Sequence, residues 1–144
     1  MLSIGKLSPG DRADWRELFR GYNEFYERVL TTEMADRAWA EFQRDERMHA
    51  LGARLDGRLV GITHYLMHAS TTSPDVCYLQ DLFTAPDVRG QGVGAALIAA
   101  VVEAARTREC RRVYWMTHET NTRARRLYDH VAGHHGFIRY EIDL

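Results

Sequence analysis

The chain has 144 residues, 45% apolar and 27% charged, and its 19 basic and 20 acidic side chains leave a net charge of −1. That length suits one domain, 1–144, with its own core, and the balanced charge argues against a nucleic-acid partner. No apolar run reaches the about 20 residues of a membrane span, and the first residues lack the order of a secretory signal. Cys77 and Cys110 fit neither a disulfide scaffold nor a zinc spacing, so the reading is a cytoplasmic protein with reduced thiols.

Residues 2–7 are expected to form an edge strand. Ser8, Pro9 and Asp11 then mark a helix start, with Ser8 as N-cap and Pro9 in the first turn. Trp15, Leu18, Phe19, Tyr22 and Tyr26 form one apolar helical stripe, and a second helix is predicted over 32–47, carrying Met34, Ala38 and Phe42. Two strands, 49–55 and 58–69, flank the hairpin signal Asp56-Gly57. Both alternating sets of the second strand contain apolar residues, which makes it central, and His64 reads as a hydrogen-bonded sheet residue.

A turn cluster at 71–75 leads to a strand at 76–83, stopped by Pro86. Arg89, Gly90, Gln91, Gly92, Val93 and Gly94 follow, then an Ala-rich helix from Ala95 to about residue 108. A strand, a glycine-rich turn and a helix start together make an anion site. The first helical N–H groups lack intrahelical partners, and glycines let the backbone come close to a phosphate. The glycine spacing fits neither the dinucleotide fingerprint nor the triphosphate loop, which needs a lysine. A strand at 112–117, a helix with Ala124, Leu127, Tyr128 and Val131 on one face, and a closing strand at 136–142 complete the order. The fold class expected is α/β, a sandwich with a mixed sheet.

The run Arg89-x-x-Gly92-x-Gly94 resembles the acetyl-CoA signature of the GNAT N-acetyltransferases, and the element order matches their fold across essentially the whole chain. The resemblance implies a splayed, mostly antiparallel sheet and acetyl-CoA as cosubstrate. It places pantetheine along Leu82, Phe83 and Thr84 and the pyrophosphate on the amides from Gly90 to Ala95. Asn121 followed seven residues later by Tyr128 resembles the second signature of the family, which implies Tyr128 as general acid toward the leaving thiolate and a cofactor contact for Asn121, a helix N-cap in any case.

The closest likeness is to the diamine and polyamine branch, through Leu79-x-Asp81-x-Phe83 and the two signatures. Several members of that branch carry a Glu, the proposed base, where this chain has Gln80. Asp81 is next to it, but strict alternation sends neighbouring strand residues to opposite faces; Glu24, Glu27 and Glu119 are other candidates. The resemblance therefore implies direct acetyl transfer to a small primary amine, with an acidic pocket around Glu24, Glu27, Asp75 and Asp81 if the amine is a polyamine. The alternatives are a protein lysine acetyltransferase and a non-catalytic acetyl-CoA-binding module. A homodimer is a further expectation from the resemblance. His130, His134 and His135 read as helix-end dipole chemistry rather than a metal site.

Overall fold

The computed structural model describes residues 1–144. β1 (Leu2–Lys6) leads through a 3₁₀ turn (Pro9–Asp11) into α1 (Arg12–Phe25) and α2 (Thr32–Arg44). β2 (His49–Leu55), β3 (Arg58–His68) and β4 (Val76–Thr84) follow, then a second 3₁₀ turn (Pro86–Val88), α3 (Val93–Thr107), β5 (Val113–Tyr114) and α4 (Thr122–Val131). The five strands form one sheet in sequential order; β1 to β4 are antiparallel and β5 runs parallel to β4.

Both faces of the sheet are covered, which is why β3 is buried almost throughout. On one face Trp15 of α1 and Trp39 and Phe42 of α2 pack with Ile62 and Leu59. On the other, Val93 and Leu97 of α3 pack with Val60, and Ile98, Val101 and Ala105 with Tyr65, Cys77 and Leu79. The helix start expected at Ser8 is a 3₁₀ turn, and α1 proper begins at Arg12: the Asp11 carboxylate accepts from the Ser8 amide (2.7 Å) and hydroxyl (3.0 Å), and pairs with Arg54. α2 ends three residues short of expectation, because Asp45 turns left-handed (φ 53°) and accepts from Lys6 and His49 instead of continuing the helix.

Three further features depart from the sequence reading, and these concern how strands meet. His64 pairs with Asp81 but Tyr65 pairs with Leu79, so Gln80 is an extra residue in β4, a bulge. β5 pairs with β4 only at Cys77–Val113 and Tyr78–Tyr114, so the strand expected over 112–117 is two residues long and beyond it the two chains separate. The closing strand expected at 136–142 is absent. That segment has no strand neighbour, and no backbone hydrogen bond joins residues 133–144 to the rest of the chain. Alternating side chains make a segment suitable for a sheet, but a strand exists only against a partner.

Candidate active site

The turn before α3 has the geometry its glycines require. Gly90 and Gly92 both sit at φ 82°, a region where any Cβ is strained, and a Cβ at either would meet no neighbouring atom within 4 Å. α3 begins at Val93, two residues earlier than predicted, and its first bond at this end runs from the Ala96 amide to the Gly92 carbonyl. The amides of Gly92, Val93, Gly94 and Ala95 donate to no protein acceptor. Four adjacent donors at the positive end of a fifteen-residue helix, approached over Cβ-free backbone, fit a diphosphate. Arg89 adds a positive charge, its guanidinium 5.8 Å from the Phe83 ring centre, while Gln91 is exposed and its amide is bound to Val88 O at 3.3 Å.

From this turn a path runs along the edge of β4. Leu82, Phe83 and Thr84 pair with Thr63, Ile62 and Gly61 on one side. On the other side they have no strand partner, since β5 has already diverged. α4 closes the far wall. The Asn121 side chain caps it, accepting from the Ala124 amide at 3.5 Å and donating to Thr117 Oγ1 at 3.3 Å. Leu127 reaches over the start of α3: a methyl on Gly94 would stand 3.2 Å from Leu127 Cδ2. One position on, Tyr128 packs edge-on against Trp115, the first residue past β5, with ring centres 5.4 Å apart. Burial, and next to it the nearby Tyr26, push the Tyr128 phenol up to about 12, so it holds its proton throughout the neutral range.

The wall opposite α4 is α1. Gly21 lets it press on β4, since a Cβ there would lie 2.9 Å from the Phe83 ring. The stripe read from the sequence continues as touching rings from Trp15 through Phe19 and Tyr22 to Tyr26. Beneath it lies a buried polar chain. Trp15 Nε1 donates to His64 Nε2 at 3.0 Å, and His64 Nδ1 lies 2.8 Å from Asp81 Oδ2. An indole nitrogen can only donate, so Nε2 accepts; the proton of the neutral ring is then on Nδ1 and points at the carboxylate. Tyr22 lies next to the same carboxylate, and burial first, the Asp81 charge second, drive its phenol far above the ordinary tyrosine value.

Strict alternation would put Asp81 on the α3 face with Leu79. The bulge at Gln80 turns it instead to the α1 face with His64, so the alternation argument against Asp81 does not hold in this strand. Of the other acids, Glu24 is tied to Arg20. Asp75 stands just before β4, its carbonyl bound to the Arg111 amide at the end of the sheet remote from Thr84. Glu119 is exposed. Glu27, left-handed at φ 58°, lines a cleft of about 540 Å³ with Phe25, Tyr26, His118, Thr120, Asn121, Thr122 and Arg123. Asn121 thus sits by this cleft, at the N-terminal end of α4 and six residues before Leu127, which approaches Gly94.

Arg28 and His118 carry no motif and went unnoticed in the sequence. The Arg28 guanidinium lies 5.7 and 5.2 Å from the Tyr22 and Tyr26 rings and donates to Asn23 Oδ1 at 3.2 Å, while His118 is 5.6 Å from Tyr26. No group of three His, Cys, Asp or Glu side chains is placed to share a metal ion, His130, His134 and His135 included. Burial pushes the Cys77 thiol up to about 12, far from a nucleophilic thiolate.

Residues 15–134 match the acetyltransferase (GNAT) family. The chain is 33% identical over 134 residues to the D-amino-acid N-acetyltransferase HPA3 of Saccharomyces cerevisiae, covering 90% of this chain and 83% of that protein. It is 34% identical over 70 residues to the thialysine N-epsilon-acetyltransferase of Bos taurus, a match spanning 49% and 41% of the two. The fold is shared with the aminoglycoside N-acetyltransferase AAC(6')-Iy bound to a CoA bisubstrate analogue, at TM-score 0.85 and 20% identity over 100% and 99% of the chains. No helix is long and apolar enough to cross a membrane. The chain belongs to the GNAT acetyltransferase family and is an acetyl-CoA-dependent N-acetyltransferase.

Proposed function

We propose that the chain acetylates the primary amine of a small amino acid, which enters between the end of α1 and the loop before α4. The observation that carries this reading is the pairing of unlike charges on one wall: the Asp81 carboxylate, and Arg28 over the Tyr22 and Tyr26 rings. An ammonium group suits the first and a carboxylate the second. The activity of the yeast relative, a D-amino-acid N-acetyltransferase, supports the same acceptor class.

Acetyl-CoA supplies an activated acyl thioester. The amides of Gly92 to Ala95 with Arg89 would hold its diphosphate, and the unpartnered edge of Leu82, Phe83 and Thr84 would run along its pantetheine, one of those amides facing the thioester oxygen as charge develops there. Asp81, directly or through a water, takes a proton from the ammonium group so that the nitrogen lone pair is free to attack. As the new C–N bond forms and the C–S bond breaks, the sulfur takes the bonding pair, and Tyr128 gives it a proton. The second amine proton then returns the phenolate to the phenol. Asn121 caps α4 and so holds the start of the helix that carries Tyr128.

A polyamine is the second reading, favoured by Glu27 on the cleft and by the likeness to the diamine and polyamine branch. Holding a polycation takes several carboxylates. Of the four acids expected to form that pocket, Glu24 is engaged by Arg20 and Asp75 belongs to the opposite end of β4.

The test is kcat/KM for D- and L-amino acids against spermidine and a lysine-rich peptide, with Arg28→Ala beside the wild type. The amino-acid reading expects at least a tenfold preference for an amino acid, and a KM for it raised about tenfold in the variant, the worth of roughly one exposed charge-assisted contact. Spermidine preferred tenfold, with Arg28→Ala improving it, would establish the polyamine reading instead.

A further inference from the structure

The last turn of α1 closes with a left-handed cap. The Arg28 amide donates to the Asn23 carbonyl at 2.9 Å and the Glu27 amide to the Glu24 carbonyl at 2.9 Å, with Glu27 at φ 58° between them. Glycine usually fills that left-handed position, and a glutamate is strained in it. In caps of this kind an apolar contact commonly joins the two residues that begin and end the motif. Here those residues are Asn23 and Arg28, and the contact is polar: Arg28 Nε donates to Asn23 Oδ1 at 3.2 Å. Arg28 is therefore held to one residue by both its backbone and its side chain.

Asn23 is itself fixed. It is only 3% exposed, and its Nδ2 donates to the Phe19 carbonyl at 2.8 Å. A carbonyl only accepts and a guanidinium only donates, so the amide has a single orientation, with its oxygen toward Arg28. Neither helix propensity nor burial favours an asparagine at this position, so its two hydrogen bonds are what suit it to the site. Arg28 in turn lies over the Tyr22 and Tyr26 rings. Arg20, two turns earlier, binds Glu17 and Glu24. Arg28 meets no carboxylate, and its Nη1 and Nη2 donate to no protein acceptor.

Taking the acceptor to be an amino acid, as proposed above, we infer that Asn23 is a positioning residue for acceptor selectivity: it clamps the Arg28 guanidinium at Nε and so keeps Nη1 and Nη2 as a prepared pair of donors for the carboxylate of the substrate. The gain is in order. A free arginine gives up several rotamers when it takes a carboxylate through two hydrogen bonds, whereas one clamped at Nε and laid on two rings has given them up on folding. The clamp also discriminates, because an amine without a carboxylate gains nothing from the guanidinium and, as a cation, is repelled by it. An aspartate at 23 would have nearly the same shape, but its charge would pair with Arg28 and compete with the carboxylate of the substrate. The neutral amide orients the cation without neutralising it.

The test compares D- and L-phenylalanine with phenethylamine, which keeps the amine and the ring and lacks the carboxylate. The quantity read is the ratio of their kcat/KM values in the full chain, for the wild type, Arg28→Ala, Asn23→Ser, Asn23→Asp and the double variant Asn23→Ser with Arg28→Ala. Serine still donates to the Phe19 carbonyl one helical turn back but does not reach Arg28. Aspartate keeps the shape of asparagine, so the two variants make different demands on folding, which circular dichroism would verify. The wild type should prefer the better phenylalanine enantiomer by about tenfold or more. Asn23→Ser should cut that preference by about threefold or more, through the KM for the amino acid, and Asn23→Asp by at least as much. The double variant should show no smaller preference than Arg28→Ala alone. A general loss of structure lowers both substrates alike and leaves their ratio where it was. A wild type without the preference overturns the amino-acid reading and the role of Asn23 with it. A preference that Arg28→Ala removes but that both Asn23 variants retain overturns the role of Asn23 alone. So does a preference that survives Arg28→Ala, or a loss in Asn23→Ser that adds in full to that of Arg28→Ala.

Discussion

Replacing His64 with Leu tests the buried chain from Trp15 to Asp81. The imidazole is fully buried, stacked on Phe42 with ring centres 4.3 Å apart, and both its nitrogens are engaged. Leucine fills much of the volume but leaves the Trp15 N–H without an acceptor and Asp81 without its His64 donor. An orphaned buried group costs about 1–3 kcal/mol and a lost donor to a charged group about as much, so the variant should lose about 2–6 kcal/mol, a large share of a domain's stability. In urea that corresponds to a midpoint lowered by roughly 1–3 M. His64→Gln offers a carbonyl to Trp15 and an N–H to Asp81, and should recover more than half of the loss. Kinetics separate positioning from packing. If His64 holds Asp81 in place for the amine, His64→Leu at a temperature where it is folded should lower kcat/KM for the amine at least tenfold while the KM for acetyl-CoA stays within about twofold. A Leu variant as stable as wild type, or a Gln variant no better than Leu, would refute the hydrogen-bonded chain.

Gly92→Val should weaken acetyl-CoA binding at least tenfold, about 1.4 kcal/mol by calorimetry; Gly57→Val, at φ 85° in the hairpin and equally free of neighbours, bears the same backbone strain and should leave affinity unchanged. Tyr128→Phe should lower kcat about 10²- to 10⁴-fold at neutral pH with stability nearly unaltered, because the hydroxyl has no protein partner, and a variant keeping half the activity would make Tyr128 a packing residue only. In alkali the unfolded chain releases the Tyr128 proton near 10 while the folded one keeps it to about 12, so wild-type stability should fall across that window, and less steeply in Tyr128→Phe, as denaturant melts at several pH values would record.

The parts of this site that are local in the chain were legible in the sequence. The glycines at 90 and 92 require a backbone few other residues adopt, Asn121 is a strong helix cap, and the stripe from Trp15 to Tyr26 has a single period; each constraint acts within a few residues. What escaped depends on contacts between distant segments. A bulge adds one residue to β4, and nothing in the composition around Gln80 marks it. The divergence of β5 and the unpaired tail are statements about neighbours, to which hydrophobic alternation is blind. Arg28 follows the end of α1 and reads as one more surface arginine until α1 docks on β4 and lays it over two tyrosines.

The bulge also changes what Gln80 means. Read along a regular strand, a glutamine where related enzymes carry a glutamate removes the base, and the next acid faces the wrong layer. With the extra residue in place, Leu79 still meets Tyr65 on the α3 face, yet Asp81 meets His64 on the α1 face beside Tyr22. The carboxylate on the α1 face, the acceptor side in the proposed mechanism, has moved one residue along the chain. Its new surroundings differ from those of an exposed acid. The Asp81 side chain is only 13% exposed, and a histidine locked in one tautomer by a tryptophan donates to it. Burying a carboxylate this far is unfavourable unless donors meet it. In the mechanism proposed above, Trp15 and His64 act on the reaction through Asp81, while Gln80, exposed on the bulge, is free to be neutral.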